Sequence, residues 1–358
     1  RSRAINMCDF KKVKKILFRI EPETAHNMTE MSVRYAQAMP FILPLLKRRY
    51  SVSDNSLTQT IFGRQFPNPV GLSAGFDKNA TMITGMSALG FGFIEVGTVT
   101  PLPQEGNPRP RLFRFPEYES LQNAMGFNND GMDSVLKRME RTFPASVPVG
   151  INIGKNKATP QELAINDYQT LINAFKDLCD YLVINISSPN TPQLRDLQNE
   201  RFIADLFKSA RQITSRPILL KIAPDMDNTA AVSLCSTAVE FGASGIIAAN
   251  TSTDYTLLPG AMGFGGVSGK VIREKSFAIF ESIAHELYGK TILISVGGID
   301  SGKEAYRRLK AGASLVQIYS AMIFHGPALV GRVNKELVEL MDRDGIKKVT
   351  DIIGIERR

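Results

Sequence analysis

The chain reads as an α/β protein: a closed (β/α)8 TIM barrel carrying a small N-terminal two-helix extension. Eight short, β-rich apolar runs recur from residue 69 onward, and most intervals between them hold a helix-like stretch. The runs are nearly continuous in hydrophobicity, as strands covered on both faces must be. The 358 residues suffice for a large core, and 43% hydrophobic with 22% charged residues is ordinary for a globular protein. A doubly wound open sheet is the alternative. It would show fewer strands and a GxGxxG turn after the first, and no such turn follows Ser73.

The first 50 residues stand apart. Of the net charge of +8, +7 lies there, eleven Lys or Arg against four Asp or Glu, which leaves the other 308 residues near +1. A basic segment suits an anionic partner, a membrane surface or a nucleic acid, or is simply a solvated face. Apolar residues among the charges favour the membrane. Phe10, Val13, Ile16 or Leu17, and Ile20 recur at helical spacing with lysines opposite. Pro22 opens a second helical stretch to about Met39, Pro40 breaks it, and the apolar residues 41–46 follow, ending in Lys47, Arg48 and Arg49. No apolar run approaches the roughly 18 residues that cross a bilayer, and no signal-peptide pattern is present. Residues 1–50 are expected to lie on a membrane and residues 51–358 to form the barrel; a helical pair packed on the barrel is the alternative.

The eight runs are residues 69–73, 93–96, 147–153, 181–186, 218–222, 245–249, 291–296 and 315–318, with helix-like stretches such as 81–89, 168–176 and 303–310 between them. The proline-rich residues 101–116 form an excursion long enough to carry a lid or a wall. In such barrels the functional groups sit at the carboxyl ends of the strands. Those ends read Ala74-Gly-Phe-Asp-Lys78, Gly97 to Thr100, Asn152 to Asn156, Asn185 to Asn190, Lys221, Asn250 to Thr253, Gly297 to Asp300, and Tyr319-Ser320. They supply amides, hydroxyls and three lysines, few carboxylates and no histidine.

Neutral amides both donate and accept, so this rim suits a planar, heteroatom-rich ligand such as a pyrimidine or a flavin. Paired carboxylates for glycoside hydrolysis and a ligand set for a metal are missing. Cys8, Cys179 and Cys235 are far apart without CxxC spacing, which fits a reducing compartment, and His26, His285 and His325 are scattered. Gly297-Gly298 and Tyr319-Ser320 match the phosphate pocket usual after the last two barrel strands, or form only a tight turn. Lys221, buried between Leu220 and Ile222, could form a Schiff base, lend positive charge to an anionic cofactor, or serve in a structural ion pair.

Six segments carry a family resemblance: Ala74-Gly-Phe-Asp-Lys78, Asn123-Ala-Met-Gly-Phe-Asn128, Asn152-Ile-Gly-Lys-Asn156, Asn185-Ile-Ser-Ser-Pro-Asn-Thr191, Ser295-Val-Gly-Gly-Ile299 and Gln317-Ile-Tyr-Ser320. Together, in this order and over roughly residues 20 to 330, they resemble the dihydroorotate dehydrogenases. Serine at 188, where the family's cytosolic class has cysteine, and the helical extension resemble the membrane-associated, quinone-reducing class.

The resemblance implies oxidation of dihydroorotate to orotate in pyrimidine biosynthesis, with FMN as cofactor and Ser188 as catalytic base. It implies FMN contacts from Ala74, Gly75, Lys78, Thr98, Asn152, Asn185, Lys221, Ala249, Gly269, Gly298, Tyr319 and Ser320. It implies substrate contacts from Lys78, Asn123, Ala124, Met125, Gly126, Phe127, Asn185, Asn190, Asn250 and Thr251. A quinone would enter between the N-terminal helices past His26, Arg114 and Tyr319. Thr191 and Thr251 are candidates to activate Ser188. No metal, no nucleic-acid partner and a monomeric state are expected, on the cytoplasmic side of a bacterial inner membrane or at a mitochondrial one. A cytosolic-type enzyme using fumarate or NAD, and a Schiff-base lyase using Lys221, are the alternatives.

Overall fold

The computed structural model describes residues 7–357, with side chains from residue 10; the side chain of Cys8 lies outside the described residues. The strands in chain order are β1 (Gln59–Ile61), β2 (Arg64–Phe66), β3 (Val70–Leu72), β4 (Phe93–Val99), β5 (Leu112–Phe115), β6 (Ser120–Asn123), β7 (Val149–Ile153), β8 (Tyr181–Asn185), β9 (Ile218–Ile222), β10 (Gly245–Ala248), β11 (Gly266–Gly269), β12 (Ile292–Val296) and β13 (Leu315–Ile318). Eight of them, β3, β4, β7, β8, β9, β10, β12 and β13, pair in parallel, each with its neighbour in the chain, and β13 returns to β3 to close the barrel. These are the eight expected runs. Helices from the intervals cover the outside, burying the apolar faces of both layers in one continuous core.

Inside the barrel, Phe93, Tyr181, Leu219, Ile294 and Leu315 pack with Phe66, which comes from outside the barrel sheet. Phe66 belongs to a hairpin, β1 with β2, whose turn at Phe62 and Gly63 has positive φ at both residues (54° and 73°). The Phe66 ring stacks edge-on against Phe93 at 5.5 Å, so the hairpin plugs the amino-terminal end of the barrel. At Gly71 a side chain is excluded by contact alone: a Cβ would lie 2.2 Å from the Phe93 ring.

Two excursions meet over the other end. The first, between β4 and β7, holds β5 and β6; the second, between β10 and β12, holds β11. They join as a three-stranded antiparallel sheet in the order β11-β6-β5. The expected wall is therefore built from two parts of the chain rather than one. Fully buried Gln122 fastens the second excursion to it, bonding the Met262 and Phe264 carbonyls and the Met262 N–H.

The N-terminal segment forms three helices where two were expected: α1 (Met7–Leu17), α2 (Pro22–Ala38) and α3 (Ile42–Tyr50). The apolar stretch read as a cap is itself helical. Pro44 occupies its first turn, where the missing N–H has no intrahelical partner to lose. One face of the segment packs on the barrel. On α2, Glu30 accepts from the Thr81 hydroxyl at 2.8 Å, and Gln37 accepts from Gly85 N–H and donates to Thr81 O. The opposite side stays bare: Val13, Ile16, Met28, Met31, Tyr35, Met39, Phe41 and Leu45 are exposed, with Phe41 75% accessible.

One buried ion pair locks this segment to the wall. The Glu23 carboxylate, 3% exposed, accepts from Arg111 at 2.7 and 3.0 Å and from Arg109 at 3.0 Å. Burial pushes the carboxyl up, but the two guanidinium groups outweigh it and hold Glu23 below the usual carboxylate range. Glu23→Ala strands Arg111 in the interior and should cost about 3 kcal/mol of stability, read from denaturant unfolding. A loss below about 0.5 kcal/mol would show that water replaces the carboxylate at no cost.

Candidate active site

The cavity lies at the carboxyl ends of the barrel strands, beneath the three-stranded wall. Its space, open mouth included, is about 1190 Å³. Of the residues named for cofactor, substrate and base, the structure brings all to its lining except Asn152 and Ala124. Asn152 lies one layer below, fully buried. Its Nδ2 donates to Glu95 at 2.8 Å and its Oδ1 accepts from Thr98 and Asn185. Ala124 acts through its backbone, with N–H donated to Arg111 O at 2.7 Å and O accepting from Asn107 at 3.0 Å.

The floor is organised by a residue the motifs did not indicate. Glu95 points inward from the middle of β4 with no exposed surface. It accepts from Lys221 Nζ at 3.2 Å, from Asn152, and from Gln317 Nε2. Lys221 also reaches Ser73 Oγ at 3.3 Å. Lys221 is thus ion-paired and still lines the cavity. Its place opposite a buried carboxylate suits a charge donor rather than the nucleophilic amine of a Schiff base.

Around Ser188 the groups are mainly amides and hydroxyls. Ser188, 5% exposed, accepts from the Asn190 N–H at 3.2 Å. Asn190 Nδ2 donates to Asn123 Oδ1 at 3.0 Å, and Asn250 Nδ2 to Ser187 Oγ at 2.9 Å. Asn107 supports this end from the wall, donating to Asn190 O and Ala124 O. Arg195 ties two loops, donating to Ser187 O at 3.0 Å and Thr251 O at 2.9 Å while paired with Asp225 at 2.9 Å. Among the cavity-lining residues several buried atoms have no partner within the protein: Asn128 Oδ1, Asn190 Oδ1, Thr251 Oγ1 and, on the floor, Gln317 Oε1. Buried polar atoms are costly unless bonded, so such a set fits a ligand rich in N–H and C=O groups.

At the opposite end, Gly297, Gly298 and Ser320 line the cavity, and Ser320 Oγ lies 2.9 Å from Ser268 Oγ. The fold also brings His325 here. It stands 3.5 Å from Glu119, and with Asp300 these three place donor atoms within 4.8 Å of one another. Both carboxylates are already paired, Glu119 with Lys270 and Asp300 with Arg273. Burial lowers the His325 pKa, against the pull of Glu119.

On the side of the N-terminal helices, His26 and Tyr319 flank Phe76, edge-on at 5.2 and 5.7 Å. Burial, reinforced by the charge of Lys78, lowers the His26 pKa to about 3, so the ring is neutral. Tyr319 is pushed up to about 12 by burial and stays a phenol. Arg114 is occupied elsewhere. Its guanidinium donates to Leu17 O at 3.0 Å and to Ile20 O, closing the end of α1, and lies 4.7 Å over the Phe18 ring.

Lys78 also lines the cavity. Burial pulls its ammonium below the ordinary lysine value, against the opposing charges of Glu23 and Glu30. Lys78 is charged below its own pKa, so it attracts a carboxylate there and loses that attraction as pH rises through a pKa below the usual one. The Kd of a carboxylate ligand such as dihydroorotate should therefore rise with pH earlier than an ordinary lysine would titrate, and Lys78→Gln should flatten the profile. An unchanged profile in Lys78→Gln would remove this residue from carboxylate binding.

The dihydroorotate dehydrogenase family model matches residues 56–341. The chain is 59% identical over 350 residues to a Nitratiruptor protein named dihydroorotate dehydrogenase (quinone), covering 98% of this chain and 100% of that one. It is 57% identical over 344 residues to a Sulfurovum protein of the same name, covering 96% and 97%. Among solved structures it is similar to dihydroorotate dehydrogenase of Eimeria tenella in complex with ferulenol, with a TM-score of 0.84 and 33% identity over 94% of this chain and 96% of that one. The chain belongs to the dihydroorotate dehydrogenase family.

Proposed function

We propose that the chain is an FMN-dependent dihydroorotate:quinone oxidoreductase that converts (S)-dihydroorotate to orotate in UMP synthesis. The observation that carries this reading is Ser188, buried in a cavity of amides and unpartnered polar atoms with a lysine ion-paired to Glu95 on its floor. The names of the Nitratiruptor and Sulfurovum proteins, both dihydroorotate dehydrogenase (quinone), support the acceptor. FMN would supply the two-electron acceptor that takes hydride from the substrate and hands electrons to quinone.

The residues present fit that cofactor. Lys221, held by Glu95, offers positive charge to an anionic ring system, and Gln317 Oε1 offers an unused acceptor. Gly298, Gly269 and Ser320 line the end suited to a phosphate, and Ala74, Gly75 and Ala249 leave room for a flat ring. Lys78 faces the substrate carboxylate, while Asn123, Asn190 and Asn250 read its ring amides.

Ser188 Oγ takes the C5 proton. The Asn190 N–H bonded to it steadies negative charge on that oxygen, favouring loss of the hydroxyl proton. Thr191 and Thr251, whose buried hydroxyls have no partner within the protein, are the candidates to carry that proton away. Ser188→Ala should slow flavin reduction by dihydroorotate by roughly 10²- to 10⁴-fold in anaerobic stopped flow, with flavin content unchanged. Reduction within about threefold of the parent rate would reject Ser188 as the base.

The acceptor side uses the N-terminal helices. Neutral His26 and Tyr319, joined through Phe76, would line the quinone path; Arg114 serves there by holding the end of α1 rather than by a free guanidinium. The exposed apolar face of α1 to α3, edged by Lys11, Lys12, Lys15, Lys47, Arg48 and Arg49, fits the surface of an anionic bilayer, on the cytoplasmic side of a bacterial inner membrane. Among the described residues no helix is long and apolar enough to cross a membrane. Deleting residues 1–45 is a poor test of this side, because it also removes Glu23 from Arg111 beside the substrate loop. Point changes are cleaner. Ile16→Glu with Phe41→Glu and Leu45→Glu should weaken binding to anionic vesicles by roughly tenfold or more and leave flavin reduction by dihydroorotate intact. Unchanged vesicle binding would clear this face of membrane contact.

A further inference from the structure

We propose that Arg308, with its partner Glu304, sets the geometry of the anion-binding turn after β12 and thereby the preference for a phosphorylated flavin. The proposal rests on reading this end of the cavity as the FMN phosphate site. Arg308 lies on the helix Gly302–Lys310, fully buried, outside the cavity lining. Its guanidinium is saturated: Nε to Glu304 at 2.6 Å, one terminal nitrogen to Ser276 and Ser295 Oγ at 3.3 and 3.2 Å, the other to Arg273 O and Gly297 O at 2.8 and 3.1 Å, with Ser276 Oγ also at 3.3 Å.

The bond to Gly297 O has a directional consequence. In a trans peptide the carbonyl and the following N–H point in opposite directions, and the peptides of this turn are not among the cis bonds of the chain. Fixing Gly297 O toward Arg308 turns the Gly298 N–H the other way. The next carbonyl, Gly298 O, is taken by Arg273 Nε at 2.9 Å, which orients the Ile299 N–H in the same manner. Among the described residues neither N–H has a hydrogen bond, and both residues line the cavity. Two successive N–H groups freed in this way make an anion-binding concavity.

The turn also has little freedom to relax. Gly297 and Gly298 have φ of 114° and 71°. A Cβ on the first would lie 2.7 Å from Ser276, and on the second 2.6 Å from the Arg273 Cα. Ser276 Oγ bonds Gly297 O at 3.0 Å and Arg273 O at 2.9 Å, completing the support. Lysine cannot replace Arg308 here, because a point ammonium lacks the planar fork that reaches both carbonyls and both hydroxyls at once.

The test compares FMN with riboflavin, which lacks the phosphate, by fluorescence quenching on the flavin-depleted full chain. Arg308→Lys should lose roughly tenfold or more in FMN affinity, while riboflavin affinity changes by less than about threefold. Ser276→Ala should show a smaller loss confined to FMN. If Arg308→Lys does not fold, Ser276→Ala and Glu304→Gln carry the same comparison. Equal losses for the two flavins, or no loss for FMN, would overturn the proposal. Failure of the unmodified chain to prefer FMN over riboflavin would instead overturn the cofactor reading beneath it, and this proposal with it.

Discussion

A single carboxylate inside the barrel holds the floor of the site together. Glu95 accepts from side chains on β7, β9 and β13, and through Lys221 it reaches Ser73 at the end of β3. Burying an isolated carboxylate is very costly, so its position is tolerable only because a cation and two amides converge on it. That convergence fixes Lys221 as a charge at the cavity floor, orients Asn152, and through Asn152 sets Thr98 and Asn185. The geometry available to a ligand follows from this network. A core of similar volume made only of apolar residues would be cheaper and would leave nothing for an anionic ring to meet.

The same logic operates at the mouth, where charges in unusual places are held by paired partners. Glu23 joins the N-terminal helices to Arg111, whose guanidinium bonds Asn107 O, and Asn107 in turn supports Asn190 and Ala124. The helices that would meet quinone are thereby fastened to the loops that would hold substrate. Arg195 and Arg308 do comparable work on the loops after β8 and β12.

Much of this was legible from the residues. All eight barrel strands stand where continuous apolar runs predicted them, because strands buried on both faces leave that signature. Their carboxyl ends supplied most of the cavity lining, since barrel topology converges them on one rim. Glu95 escaped notice because one charge inside the run Phe93 to Val96 has no periodicity to flag it, and its partners come from distant strands. The hairpin β1 with β2 turns at Phe62-Gly63 rather than at an Asn-Gly or Asp-Gly pair, and the wall is assembled from segments about 140 residues apart in sequence, as the Gln122 to Met262 bond illustrates. The apolar residues 41–46 were read only as a stretch following the break at Pro40, yet they start helix α3, whose first-turn Pro44 breaks nothing. Arg114 was read as a contact for quinone; its commitment to the carbonyls of Leu17 and Ile20 is a property of the folded chain alone.

The visible absorption spectrum of the purified chain, recorded without oxygen before and after adding dihydroorotate, tests the central claim most directly. The predicted result is a yellow protein whose flavin band bleaches with substrate and returns on adding a quinone. A colourless protein that borohydride inactivates by trapping substrate on Lys221 would contradict it, placing a free amine where the structure has an ion pair with Glu95.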